Sequence, residues 1–129
     1  MGMYTELIFG ARLKKNTPEV IINTIKYLIG EDISHEIIDP KLPENVSYLI
    51  GCSYYFGVTN AVNKFYKDND KWVLSSRSNH KNYNNEFESF LDWIKPHIDY
   101  GSGERDIYAF LIYEADREPK IYYLDKEEE

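Results

Sequence analysis

The sequence predicts an α+β domain, a two-layer fold of about six largely antiparallel strands with two helices on one face, in the order β-α-β-β-β-α-β-β. Three observations carry that prediction. Two segments repeat apolar residues at the helical period and carry helix start and stop residues. The other apolar segments are short, β-branched or aromatic, and separated by turn residues. Six strands served by two helices cannot be joined by helical crossovers throughout, so antiparallel pairing must dominate. A ferredoxin-like topology with an added hairpin fits this order. In it the strands preceding the two helices are expected side by side and parallel at the sheet centre.

Residues 4–13 alternate, with Thr5, Leu7, Phe9, Ala11 and Leu13 on one face and Tyr4, Glu6, Ile8 and Arg12 on the other. The first helix follows, with Thr17 as N-cap, Pro18 at the first helical position and Gly30 at the left-handed end. Ile21, Ile25, Leu28 and Ile29 form its apolar stripe. Residues 31–46 are acidic, contain Pro40 and Pro43, and read as a long connection. Residues 47–57 are tyrosine-rich and read as a strand. Residues 61–67 and 71–78 flank the turn formers Asp68, Asn69 and Asp70 and make a hairpin.

The second helix spans about 85–98, where Asn85 and Glu88 have capping-box spacing. Phe87, Phe90, Leu91, Ile94 and Ile98 form its buried stripe, and Pro96 must lie in the last turn. Gly101-Ser102-Gly103 ends that unit, because a phosphate-binding loop would lead into a helix and this stretch follows one. Residues 106–114 are apolar on both faces, as in a central strand, and 120–124 supply the last strand. Residues 1–124 therefore read as one domain, and the acidic stretch 125–129 as a frayed tail.

Bulk composition removes several function classes. Twenty-two acidic against fifteen basic residues give a net charge of −7, which argues against nucleic acid as partner. The charge is uneven, at +2 over residues 1–30, −4 over 31–60, zero over 61–99 and −5 over 100–129. One cysteine, Cys52, rules out an internal disulfide framework, and its apolar surroundings make it a small buried hydrophobe rather than a nucleophile. His35, His80 and His97 share no metal-ligand spacing, so no metal site is expected. No nucleotide, hydrolase or phosphate-loop motif occurs, so neither a cofactor nor catalysis is expected. No run approaches the ~20 apolar residues of a membrane helix, so the expected setting is cytoplasmic with no membrane partner.

Four stretches, YTELIFGARLKKNTPEVI, SYYFGVTN, FLDWIKPHIDYGSGERDIYAFLIYE and IYYL, together cover much of the chain. They resemble small acidic proteins of phages and prophages of Gram-positive bacteria. None of the stretches is a functional motif, so the resemblance transfers no site residue. It implies a mobile-element setting, in which small proteins often act by binding a host protein or a signalling molecule.

Two groups of residues are candidates for function. Arg12, Lys14, Lys15, Arg77, His80 and Lys81 lie in the two strand-to-helix segments. Parallel neighbouring strands would bring them together at one sheet edge, around two helix N-termini, where an anionic small molecule such as a phosphorylated ligand would bind. The second group is aromatic. Tyr4, Tyr54, Tyr66, Trp72, Tyr108 and Tyr122 are expected beside Ile8 and Arg12 on the sheet face away from the helices. Tyrosine, tryptophan and arginine dominate protein interfaces, so this face is expected to meet a host protein or a second copy in a homodimer.

Overall fold

In a computed structural model the described residues are 4–34, 37–41, 50, 63–82, 85–99 and 107–124. They form strand β1 (Thr5–Arg12), helix α1 (Glu19–Ile29), strands β2 (Lys64–Asp68) and β3 (Lys71–His80), helix α2 (Glu86–Ile94), and strands β4 (Ile107–Tyr113) and β5 (Lys120–Tyr123). The α+β class and the two helices follow the sequence, and the described strands number five. The strand expected over 47–57, the turn at Gly101–Gly103 and the tail 125–129 lie outside the described residues, as do His35, Cys52 and Tyr54.

The sheet is antiparallel throughout and runs β2-β3-β1-β4-β5. Strand β1 lies at its centre, paired from Thr5↔His80 to Arg12↔Val73 on one side and from Thr5↔Tyr113 to Phe9↔Ala109 on the other. The strands that precede the helices, β1 and β3, are adjacent as expected but antiparallel, not parallel. The hairpin between β2 and β3 forms as expected. Asn69 and Asp70 both take positive φ, 52° and 72°, the two-residue turn whose twist matches an antiparallel ribbon. It reverses β3 relative to β2.

Three of the four helix ends depart in part from their sequence signals. Thr17 does not cap α1; its hydroxyl donates to the Lys14 carbonyl at 2.6 Å. Gly30 does close α1, at φ 113°, with Glu31 N–H donating to the Lys26 carbonyl at 2.9 Å. At α2, Asn85 holds the N-cap position as expected, but the capping side chain is that of Asn82. Its Oδ1 accepts from Phe87 N–H at 2.9 Å and its Nδ2 donates to Glu88 Oε1 at 2.9 Å. Asn85 itself sits at φ 59°, which aims the chain into the helix. Pro96 falls in a 3₁₀ turn, Lys95–His97, that ends α2 earlier than the apolar stripe implied.

One core joins the helices to a single face of the sheet. Leu7 and Phe9 of β1, Leu74 of β3, and Ala109 and Leu111 of β4 meet Ile21, Ile25 and Leu28 of α1 and Phe87, Phe90 and Ile94 of α2. Phe9 and Phe90 pack edge to face, with ring centres 5.5 Å apart. The end of β1 is secured by the segment after α2. Lys14 N–H donates to the His97 carbonyl at 2.8 Å, and Asp99 N–H to the Arg12 carbonyl at 2.7 Å.

Candidate functional site

The opposite sheet face carries a second apolar surface that takes no part in the core. Alternation along β1 turns Ile8, Gly10 and Arg12 away from Leu7 and Phe9. Register then aligns a row across four strands, Arg77–Ile8–Phe110–Ile121. Ile112 and Tyr123 extend it, while Tyr66 and Val73 stand on the β2–β3 side. Tyr66, Ile121 and Tyr123 are 49%, 37% and 48% exposed, which no core position approaches. Arg77 donates through Nε to Glu6 Oε2, and Arg12 stands 3.8 Å from Asp68.

Only part of the expected aromatic set lies here. Tyr66 does, beside Ile8 and Arg12, and Tyr4 shares their parity at the entrance to β1. Trp72, Tyr108 and Tyr122 are corrections, because all three turn toward the helices. Trp72 shares the parity of Leu74, stacks on Phe65 at 4.6 Å and has Lys26 of α1 5.2 Å above its ring. Tyr108 turns inward at a register shift between Ile107 and Ala109, which breaks the alternation. Its ring centre lies 6.1 Å from Phe9 and 6.2 Å from Tyr122. Burial raises the Tyr122 hydroxyl above its ordinary range, partly offset by nearby Lys120. Among the described residues the face mixes Ile8, Phe110, Ile112 and Ile121 with Tyr4, Tyr66 and Tyr123.

The six cations do not converge either. Since β1 and β3 are antiparallel, Arg12, Lys14 and Lys15 lie at one end of the sheet and His80 and Lys81 at the other, about 23 Å away at ~3.3 Å per residue. Arg77 lies between them, paired with Glu6. His80 packs its ring 5.6 Å from Phe87. Each end has its own small pocket. Lys15 joins Lys26, Lys67, Thr17, Glu19 and Asp70 around a space of about 320 Å³ at the start of α1. Lys81 joins Lys120, Thr5, Asn82, Glu88 and Asp116 around about 410 Å³ at the start of α2. Both linings mix lysines with carboxylates, which weakens either as a phosphate site.

A polar knot that the sequence did not signal sits at the far end of the helix layer. Asp39 Oδ2 accepts from the Trp93 indole N–H at 2.8 Å and Oδ1 from Lys41 N–H at 2.9 Å. Asp39 N–H donates to Thr24 Oγ1 at 2.7 Å, tying both helices to the segment between them. Burial pushes the Asp39 carboxyl up. The Lys41 N–H, the Trp93 indole and the charges of Lys41 and His97 outweigh it, so Asp39 titrates below its ordinary value. Burial holds His97 below its own, aided by Lys14 and opposed by Asp39. With both Asp39 oxygens occupied, the knot is a fastening and not a reactive site.

Among the described residues no group of three His, Cys, Asp or Glu side chains could hold a metal ion. No helix among them is long and apolar enough to cross a membrane. No protein-family model, curated protein or solved structure matches the chain.

Proposed function

We propose that this chain is a non-catalytic cytoplasmic binding protein of phage or prophage type that engages a host protein through the open face of its sheet. The observation that carries the reading is the row Ile8–Phe110–Ile121, apolar across three strands yet outside the single core that both helices share. An apolar patch rimmed by charge is the usual mark of an interaction surface. The strand order β2-β3-β1-β4 keeps β1 and β3 neighbours as a ferredoxin-like variant does, and their antiparallel pairing departs from it. The test is capture from host lysate by wild type, by Ile8→Glu plus Ile121→Glu, and by Lys15→Ala. Loss in the first variant alone supports the reading, and equal capture by all three contradicts it.

A second reading, an anionic small-molecule binder, draws on the pocket at the start of α1, where Lys15, Lys26 and Lys67 stand beside Glu19 and Asp70. Calorimetry with inorganic phosphate and with nucleotides tests it. Binding lost in Lys26→Ala supports this reading, and no heat at millimolar ligand excludes it.

A further inference from the structure

Among the described residues the sheet ends at β5, and the hydrogen bonds of the inner strands fix what that edge presents. Leu13 N–H donates to the Trp72 carbonyl, so the odd residues of β1 bond to β3. Its even residues bond toward β4, as Glu114 N–H donating to the Tyr4 carbonyl shows. Alternation in β4 then leaves Ala109 and Leu111 to bond β5, where they meet Tyr122 and Lys120. Ile121 and Tyr123 therefore direct their backbone N–H and C=O groups outward, where no described strand pairs with them.

The two ends of the sheet differ in charge. β2, at the other end, carries Lys64, Lys67 and Asp68 within five residues, and charges on an edge strand oppose the addition of another. β5 carries only Lys120. Its outward-bonding residues, Ile121 and Tyr123, are also among the exposed large apolar side chains.

We infer that β5 pairs antiparallel with β5 of a second copy of the chain, about a two-fold axis at Tyr122, joining the two sheets into one. Outward-bonding residues must meet outward-bonding residues, which limits the axis to Ile121, Tyr122 or Tyr123. An axis at Ile121 sets Tyr123 opposite Pro119, which has no N–H to give. An axis at Tyr123 carries Ile121 past the end of the other strand. At Tyr122 both conditions are met, and Ile121 of each copy exchanges N–H and C=O bonds with Tyr123 of the other. The same register lays each exposed Ile121 side chain against the other copy's Tyr123 ring and sets Lys120 opposite Leu124, so no like charges stand directly opposed.

At longer range charge opposes the pair. Glu88 and Asp92 of α2 lie near Tyr122, and each chain carries −7, so added salt should tighten the dimer. An edge of four residues buries less than the ~1,200 Å² of a stable interface, so association is weak and follows concentration. The pairing uses the edge of the sheet and holds whether or not a host protein meets its open face.

Sedimentation velocity on the full chain, up to about 1 mM, tests the pairing. Wild type is expected to pass from monomer to dimer, at lower concentration in high salt. Ile121→Pro removes an N–H that no bond within the sheet uses, so it should keep the urea midpoint of dilute protein and weaken association at least tenfold. Ile121→Val keeps that N–H and should dimerise like wild type. Should the proline variant unfold, cysteine crosslinking in a Cys52→Ala chain decides. Tyr122→Cys should form a disulfide-linked dimer, because residues facing each other on the axis lie about 4.5 Å apart. Lys120→Cys should not, being about 13 Å from its own copy at ~3.3 Å per residue. A monomer over the whole range overturns the proposal. So does a dimer that Ile121→Pro leaves intact, equal crosslinking of the two cysteine variants, or a dimer that salt loosens.

Discussion

The two faces of the sheet are built from the same strands and differ in what covers them. On the helix face, Phe9 lies between Ser76 and Ala109 and against the ring of Phe90. One residue along, Ile8 lies between Arg77 and Phe110 and has no helix above it among the described residues. Even the polar side chain of Ser76 is engaged on the helix face, donating to the Ile50 carbonyl at 2.5 Å. The opposite face instead leaves Tyr66 and Tyr123 half exposed. Alternation alone produces two such faces in every strand; the helices decide which one becomes core.

The largest expected break in this contrast comes from truncating a core ring. Phe9→Ala or Phe90→Ala should destabilise by about 3–5 kcal/mol, read from the urea midpoint. Ile8→Ala, the matched change on the other face, should cost under ~1 kcal/mol. Comparable losses on both faces would mean that the open face is packed after all.

Much of this contrast was legible in the sequence, and the gaps have identifiable causes. The alternation of residues 4–13 put Ile8 and Arg12 opposite Leu7 and Phe9, where they are found. Both helical stripes were legible for the same reason, because a repeating apolar pattern survives small errors in boundary. Strand direction was not. It depends on how many reversals separate β1 from β3, which alternation does not count, so the expected meeting of Arg12 and Lys81 failed. Tyr108 was misplaced by a register shift, which alternation cannot reveal. The N-cap of α2 was legible by position at Asn85, but not that Asn82 three residues earlier supplies the capping side chain.

A smaller break is expected at the Asp39 knot. Asp39→Asn should cost about 1–3 kcal/mol at neutral pH and shift the Trp93 emission. Because the folded carboxyl titrates below its ordinary value, its contribution is present above about pH 4 and is lost as pH falls through the folded value. Wild type and Asp39→Asn should therefore converge in stability at strongly acidic pH. A gap that persists there would show that the carboxylate charge is not what holds the knot.

His97 gives a gentler effect of the same sign. Its folded value is held down by burial, so the unfolded chain binds the proton first and stability falls as pH drops below ~6.5. The urea midpoint of His97→Gln should lack that slope. The smallest effect sharpens the comparison from the other side. Gly10→Ala should stabilise the chain by about 0.5–1 kcal/mol, since the added methyl meets open space in a backbone any residue adopts.

The central claim, that Phe9 lies in the core while the row Ile8–Phe110–Ile121 lies outside it, is most directly tested by methyl NMR with a soluble paramagnetic agent. Isoleucine methyls report both faces in one spectrum. The account predicts strong broadening of Ile8, Ile112 and Ile121 and little change in Ile25 and Ile94. Broadening of Ile8 and Ile112 as weak as that of Ile25 would contradict it.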